Sequence, residues 1–497
     1  MTVTEREIKL AAAATFHMPS LEGLAEGIRV APSQAERLST TYFDTEDLRL
    51  ARWGMSLRHR SGQGWTVKLP PTGRGHVLAR PEIPFAGNGG HPPPAVIDLV
   101  RAVVRSDELH IQTKLDTLRH RIALYDADGA LVADVFDDEV AVLEGHLPAT
   151  TFRELEVELG DATPESLLEV LLGQLRRAGA DAPDPTPKYI RSLGSRAPTL
   201  AEITVPELTS RATSGDVVRA AVAASVVRLI AHDPVVRLDS DPEGVHQARV
   251  ATRRLRSDLR TFRSIVEPAW ASSLRDELGW LAQILGDVRD GDVQLERMRR
   301  AVARLPDSSR QGAERVLAAL AVQREAAHEA LLEALRSDRY VALLDRLVTA
   351  SNKPELAGGA ELSARNALPA LVRSPWRSLE KRVEALGKTP TDDEQHDIRV
   401  RTKRVRYAAE AVAPIVGKRA RLFAATAADL QEVLGDLNDA IVAETWLRDW
   451  ARGSRSSGAS ASAADLASLE RDEAKRSRAR WRRAWRKLAA PRLRSWM

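Results

Sequence analysis

The sequence predicts an α+β chain of two domains, a closed antiparallel β-barrel with outer helices followed by an all-α bundle built from a duplicated unit. Three observations carry this. Over residues 1–197, short runs alternate charged or polar residues with apolar ones, the period of strands. From about residue 215 the texture turns Ala-, Leu- and Arg-rich with a 3.6-residue period. Within that second half, two motif pairs recur at nearly the same offset. A chain of 497 residues exceeds what one core normally serves. The expected division is a barrel at 1–197, a linker at 198–213 and a bundle at 214–497, with repeats at about 214–350 and 360–497.

The first strand, 4–10, sets the pattern. Extended backbone puts Glu5, Glu7 and Lys9 on one face and Arg6, Ile8 and Leu10 on the other. Alternation returns at 57–60, 65–69, 80–84, 117–124 and 153–159, and more loosely at 131–135. Arg58 and Arg60 share a face, as do Arg119 and Arg121, and Glu154, Glu156 and Glu158. Carboxylates two apart on a strand lie about 7 Å from each other, a repulsion of about 2 kcal/mol per pair at an effective dielectric near 20. Acids and bases segregated on many strands fit a closed barrel with its charged faces inward, and that interior needs a highly anionic ligand accompanied by divalent cations. Turn clusters at 70–75 and 87–94 separate strands, and apolar periodicity at 94–105 and 164–178 predicts helices outside the barrel.

Composition excludes several function classes. Cysteine is absent, so no disulfide, thiolate metal site or cysteine nucleophile is available, which suits a reducing cytosol. The start, MTVTEREIKL, carries charge where a signal peptide has its apolar segment, and no run of about 18 apolar residues occurs. A cytoplasmic protein with no membrane partner is expected. Net charge is only +4 although 29% of residues are charged, so clustering of charge matters more than its sum.

Helices are expected at about 215–232, 242–266, 270–303, 308–336, 338–351, 362–386, 393–415, 418–452 and 464–489, with a flexible Ser/Gly/Ala loop at 453–462. HQARVATRRLR (246–256) and HDIRVRTKRVR (396–406) agree at six of eleven positions, and LGDVRD (285–290) is echoed by LGDLND (434–439). On a helix, His246, Arg249, Arg253, Arg256, Arg260 and Arg263 form one stripe, beside an apolar stripe of Val245, Ala248, Thr252, Leu255, Leu259, Phe262 and Val266. His396, Arg399, Lys403 and Arg406 repeat the arrangement. Like charges at this spacing cost a few tenths of a kcal/mol each without an anion. Asp287, Asp290, Asp436 and Asp439 are candidate neutralisers of part of the stripes. The length of the stripes favours an anionic polymer spanning both repeats. The last basic segment, 475–496, holds Trp481 and Trp485 one turn apart. That pattern also fits RNA or an anionic membrane surface, and anchoring of the last helix is the favoured reading.

The strand motifs resemble the CYTH domain, the triphosphate tunnel metalloenzyme family. EREIK matches its ExExK signature, and the stretches 42–60, WTVKLP (65–70), the Arg80 and Glu82 pair and FRELEVEL (152–159) follow in the family's order. The resemblance implies metal binding by Glu5, Glu7, Glu154 and Glu156, with Glu82 and Asp134 as further ligands. Carboxylate oxygens suit Mg²⁺ or Mn²⁺. Lys9, Arg58, Arg60, Lys68, Arg80, Arg119 and Arg121 would hold phosphate oxygens. Lys188 matches a family lysine after the last strand, although Pro187 stands where Ser is usual. Glu7, Lys9 and Lys188 are the expected catalytic residues.

The paired histidine helices resemble the CHAD domain, a polyphosphate-binding helical module. That resemblance carries phosphate contact to Arg249, Arg253, Arg254, Arg256, Arg260, Arg399, Lys403, Arg404 and Arg406. For His246 and His396, contact with phosphate and a structural hydrogen bond both stand, and metal binding does not, since neither has a ligand at i+4. The implied function is metal-dependent hydrolysis of inorganic triphosphate or short polyphosphate in the barrel, with polyphosphate bound by the bundle. Association with polyphosphate granules follows, and no DNA partner is expected. The alternatives are a non-catalytic polyphosphate-targeting adaptor, and a nucleotide cyclase or thiamine triphosphatase using the same tunnel.

Overall fold

The computed structural model of the chain describes residues 3–71, 77–160 and 163–497. The turn expected at 70–75 therefore lies, from residue 72 on, outside the described residues. Two compact units form, 1–202 and 203–497. The first runs β1 (Val3–Ala12), β2 (Arg29–Val30), β3 (Gln34–Asp44), α1 (Arg49–Arg52), β4 (Ser56–Arg60), β5 (Gly64–Lys68) and β6 (Leu78–Phe85). It continues through α2 (Pro94–Val104), β7 (His110–Tyr125), β8 (Leu131–Glu144), β9 (Leu147–Leu159), α3 (Glu165–Arg177), β10 (Ala180–Pro183) and α4 (Lys188–Leu193).

Eight antiparallel strands close in the order β1-β6-β5-β4-β3-β7-β8-β9, because β1 pairs with β6 through its first half and with β9 through its second. Outside this ring β2 pairs with β7 and β10 with β1. Alternation then assigns the two faces. Ile8, Leu10, Val135, Leu155 and Val157 point outward and are buried beneath α3 by Leu167, Leu171 and Leu175. The barrel is thus apolar outside, under its helices, and charged inside, the reverse of an ordinary sandwich. Glu7 and Lys9 face inward, 2% and 6% exposed.

β7, β8 and β9 are longer than their alternating cores at 117–124, 131–135 and 153–159 suggest, since consecutive hairpins extend each pairing well beyond the barrel midline. β3 carries no clean alternation in QAERLSTTYFD, and pairing to β4 and β7 decides it. α1 is set by Asp44, whose buried carboxylate accepts the Thr45, Leu50 and Ala51 amides and the Tyr189 hydroxyl at 2.8–3.0 Å.

The second unit is helical: α5 (Ser214–Leu238), α6 (Pro242–Thr261), α7 (Pro268–Val302), α8 (Asp307–Arg336), α9 (Asp338–Asn352), α10 (Ala364–Ala367), α11 (Ala370–Glu384), α12 (Asp392–Val416), α13 (Lys418–Gly453) and α14 (Ser457–Leu488). Capping boxes start α5 (Thr213, Asp216) and α12 (Thr391, Glu394), while Asp241 caps α6 ahead of Pro242. The apolar stripe of α6 is buried throughout, as are Ile398, Val405, Ala409 and Val412 of α12. Among the described residues no helix is long and apolar enough to cross a membrane.

Two helix expectations need correction. The segment expected as one helix at 362–386 breaks at Pro369 into α10 and α11. The Ser/Gly/Ala stretch expected as a loop is helical from Ser457, capped by Ser456. Its small residues let α14 lie against α8: Ser462 donates to the Ser309 carbonyl at 2.8 Å, and a methyl on Gly312 would sit 2.6 Å from the Gly458 carbonyl oxygen. Close packing, which composition does not report, orders the stretch.

Candidate active-site tunnel and basic helices

Register brings the charged faces together. Glu5 lies opposite Arg80, Lys9 opposite Glu156, Glu7 opposite Glu158, and Lys68 opposite Glu82. At the centre two lysines serve one acid cluster. Lys9 Nζ is 3.0 Å from Glu7 and 3.6 Å from Glu154, and is bonded to Glu156. Lys188 Nζ is 2.9 Å from both Asp138 and Glu154 and 2.7 Å from Glu156. Pro187, extended at the cap of α4, delivers Lys188 into the lumen from the helix start, so the departure from Ser leaves the lysine inside.

Arg119 grips Asp138 with two bonds of 2.7 and 2.8 Å and reaches Glu156 at 2.7 Å. Arg58 meets Glu82 at 3.3 Å, and Lys68 joins Glu82 and Glu5. Arg80 is aimed by donating to the carbonyls of Leu69 and Gly54 at 3.0 and 2.8 Å, while Arg60 reaches Thr40 at 3.4 Å. These side chains border a polar cavity of about 70 Å³ with Glu5, Glu7, Glu156, Glu158, Tyr42 and Tyr189. Arg121 and Asp134 do not border it. They hold each other with two bonds of 2.9 Å. Glu82 and Glu154 stand behind the lining as buried counter-ions.

The electrostatics follow from burial and neighbours. Burial would raise Glu156, but Lys188, Lys9 and Arg119 hold it well below the usual carboxylate range. Burial would lower Lys188, yet Asp138, Glu154 and Glu156 raise it above an ordinary lysine. Burial and then Arg58 bring Lys68 down to about 7, and burial with Glu5 and Glu156 pushes Glu158 up to about 7.

Asp138 was not among the residues the sequence singled out, and it is fully buried between Arg119 and Lys188. Continuing the period-2 pattern from Asp134 through Phe136 would have found it. Among the described residues no three acidic or imidazole side chains converge as a metal-ligand group; Glu5, Glu7 and Glu156 each lean toward a lysine. The donor set still fits a hard divalent ion. It is carboxylate oxygen throughout, and neither oxygen of Glu154 accepts a directed hydrogen bond, although Lys188 is nearby.

In the helical unit the stripes of α6 and α12 face one another's basic groups. Arg249 reaches Asp290 at 3.2 Å, and Arg399 lies 3.9 Å from Asp439, so both repeats use the last acid of the LGD motif. The first motif glycine makes room, while the second is not required for space. A methyl on Gly286 would overlap the Arg249 guanidinium, and one on Gly435 would lie 3.9 Å from Arg399 Nε. Asp436 instead pairs with Arg480 at 3.4 Å, and Asp287 accepts from Gln283 at 2.8 Å.

In the middle of the stripe Arg253 and Lys403 form no ion pair among the described residues. Arg253 lies over the Tyr407 ring, and burial lowers its pKa. Burial, then Arg399, Arg253 and Arg249, bring Lys403 down to about 8. Burial with Arg275, Arg404 and Arg256 likewise lowers Arg260, which marks a second basic cluster that includes Arg275, a residue outside the sequence motifs. Arg406 pairs with Glu410 at 2.7 Å, and Arg256 packs beside Gly279. Arg254 does not join the stripe. Its place on α6 turns it toward Glu410 at 2.6 Å and Asp258 at 3.4 Å. His396 Nδ1 is 2.9 Å from the Asn438 side-chain oxygen, a structural bond, and burial with Arg289 lowers His246. Trp481 is buried and Trp485 stacks on Trp376 at 5.4 Å, so both anchor α14.

Two family profiles match the chain, one described as CYTH domain over residues 3–190 and one as CHAD domain over 220–448. Uncharacterized proteins of Mycobacterium tuberculosis strains CDC 1551 / Oshkosh and ATCC 25618 / H37Rv are each 32% identical over 473 residues, covering 88% of this chain and 87% of theirs. Among solved structures, PptA from Streptomyces chartreusis is 22% identical with a TM-score of 0.47, covering 55% of this chain and 100% of its own. The CHAD domain from the plant Ricinus communis is 25% identical with a TM-score of 0.44, covering 59% of this chain and 96% of its own.

Proposed function

Because the chain belongs to the CYTH family in its first part and to the CHAD family in its second, we propose that its tunnel hydrolyses inorganic triphosphate or short polyphosphate while its helical unit binds inorganic polyphosphate. CYTH domains are typically triphosphate tunnel metalloenzymes and generally depend on a divalent metal. The observation that carries the reading is the lumen itself, where Lys9, Arg58, Arg60, Lys68, Arg80, Arg119 and Lys188 surround one small cavity. So many cations in one bore suit a chain of phosphates and little else.

Phosphoryl transfer asks the protein for alignment and charge compensation rather than a covalent nucleophile. The cations now spent on carboxylates turn to phosphate oxygens when the substrate enters. Lys9 and Lys188, flanking Glu156, then meet the negative charge that builds in transfer, and Arg80, aimed by two backbone carbonyls, fixes the chain's position. Glu5, Glu7 and Glu156, which border the cavity with Glu158, would hold Mg²⁺ or Mn²⁺, with Glu154 and Glu82 of the expected set reaching it only from behind the lining. Asp134, taken at both oxygens by Arg121, is the weaker member of the expected set. When bound, such an ion offsets phosphate charge and lowers the pKa of its water. Water attacks the terminal phosphorus, the bond to the bridging oxygen breaks, and triphosphate gives pyrophosphate and orthophosphate.

The test is phosphate release from tripolyphosphate, ATP and thiamine triphosphate, with Glu7→Gln as control. Tripolyphosphate turnover lost in Glu7→Gln is expected. Inactivity of the native chain on all three substrates overturns the catalytic reading, and a cyclic product from ATP replaces it with a cyclase.

A further inference from the structure

A cavity of about 450 Å³ opens in the helical unit between α5, α6, α12 and the segment Val205, Pro206 and Leu208, away from the basic stripes. Ala220, Ala221 and Ala224 of α5, Ala251 of α6 and Ala411 of α12 wall it, so helix faces that elsewhere bury leucine and valine here leave a hole. Asp258, 1% exposed, borders the cavity. Neither of its carboxylate oxygens accepts a hydrogen bond. The nearest cation, Arg254, is 3.4 Å from Oδ2 through Nε, while its Nη1 is committed to Glu410 at 2.6 Å. Glu410 is shared in turn with Arg406. Burial pushes the Asp258 carboxyl up to about 7, more than the nearby Arg254 offsets. Arg228, exposed on α5, is the cation at the mouth.

A buried carboxylate whose one neighbouring cation is distant and shared, an aliphatic wall and an arginine at the rim are complementary to one kind of molecule. We propose that this cavity binds a small aliphatic zwitterion, its ammonium donating to Asp258, its methylenes on the alanine wall and its carboxylate at Arg228. An ammonium supplies the donors that the acid lacks, and the short chain fills space that water would occupy without gain. The site is independent of the tunnel and of polyphosphate binding.

The full-length chain is titrated calorimetrically with unbranched amino acids, from glycine to 6-aminohexanoate, and with the matching carboxylic acids that lack the amine. One-to-one binding of at least one amino acid is expected, with its des-amino counterpart weaker. Asp258→Asn should weaken it by about 10–100-fold, the worth of a charged hydrogen bond. Ala221→Leu, which fills the hole without touching the acid, should abolish it. Asp258→Asn should melt no lower than the native chain, since it removes a buried charge that Arg254, 3.4 Å away, offsets only in part. No heat from any member of the series at millimolar concentration overturns the proposal. Equal binding of the des-amino acids, or binding unchanged in both variants, overturns it as well.

Discussion

Binding of polyphosphate to the helical unit should draw protons from solution near pH 8, through Lys403. Burial, and then Arg399, Arg253 and Arg249, place this amine at about 8 in the free protein. At pH 8 it is therefore about half neutral, and at pH 7 roughly one molecule in ten is neutral. A polyanion against the same side chain restores the charged form, so binding takes up about half a proton at pH 8 and about a tenth at pH 7. The sign for folding runs the other way. The folded pKa lies below that of an unfolded lysine, so between about 8 and the ordinary lysine value of 10.5 the unfolded chain holds more protons and stability rises with pH. Below about pH 8 the full cost of the buried charge is present. Calorimetry at one pH in Tris and in HEPES, whose ionisation enthalpies differ, measures the uptake directly. Lys403→Arg keeps its proton throughout, so the difference between native chain and variant isolates Lys403 from titration of the polymer ends. Zero uptake at pH 8, or uptake of the same size in Lys403→Arg as in the native chain, refutes the reasoning.

Three further outcomes are expected. Arg253→Glu with Lys403→Glu should weaken polyphosphate binding and flatten its salt dependence by about two to four counter-ions, while tripolyphosphate turnover stays intact in a phosphate-release assay. Gly286→Ala should displace the Arg249 guanidinium and lower polyphosphate affinity with little change in helicity, as circular dichroism and a binding titration would report. Lys188→Met leaves Asp138, Glu154 and Glu156 short of a shared cation and should destabilise the barrel by about 3–5 kcal/mol at pH 8. That loss should shrink toward pH 5 as the acids take up protons, which urea unfolding at the two pH values checks.

Much of the barrel was legible because one strand already separates Glu7 and Lys9 from Ile8 and Leu10, and a two-residue period admits no other face assignment. What stayed hidden was decided by partners. β3 has no pattern of its own and is fixed by pairing to β4 and β7. The helical start of α14 depends on how closely Gly312 and Gly458 approach. Arg254 shows the limit of reading a motif as a string. It lies one residue beyond Arg253, but a helix turns it about 100° away, toward Glu410. Lys188 was suggested by its place after the last strand, and only the fold shows Pro187 and α4 carrying it inward.

A barrel whose grease lies under its outer helices gives the two faces of each stave separate duties. Leu167, Leu171 and Leu175 of α3 do the work usually left to a core, so truncating that helix should unravel the ring even though no atom of it touches the bore. The lumen, relieved of holding the fold together by packing, is free to change its charges. In such a scaffold new substrates can be acquired by exchanging inward side chains one at a time, at a cost set by electrostatics rather than by shape.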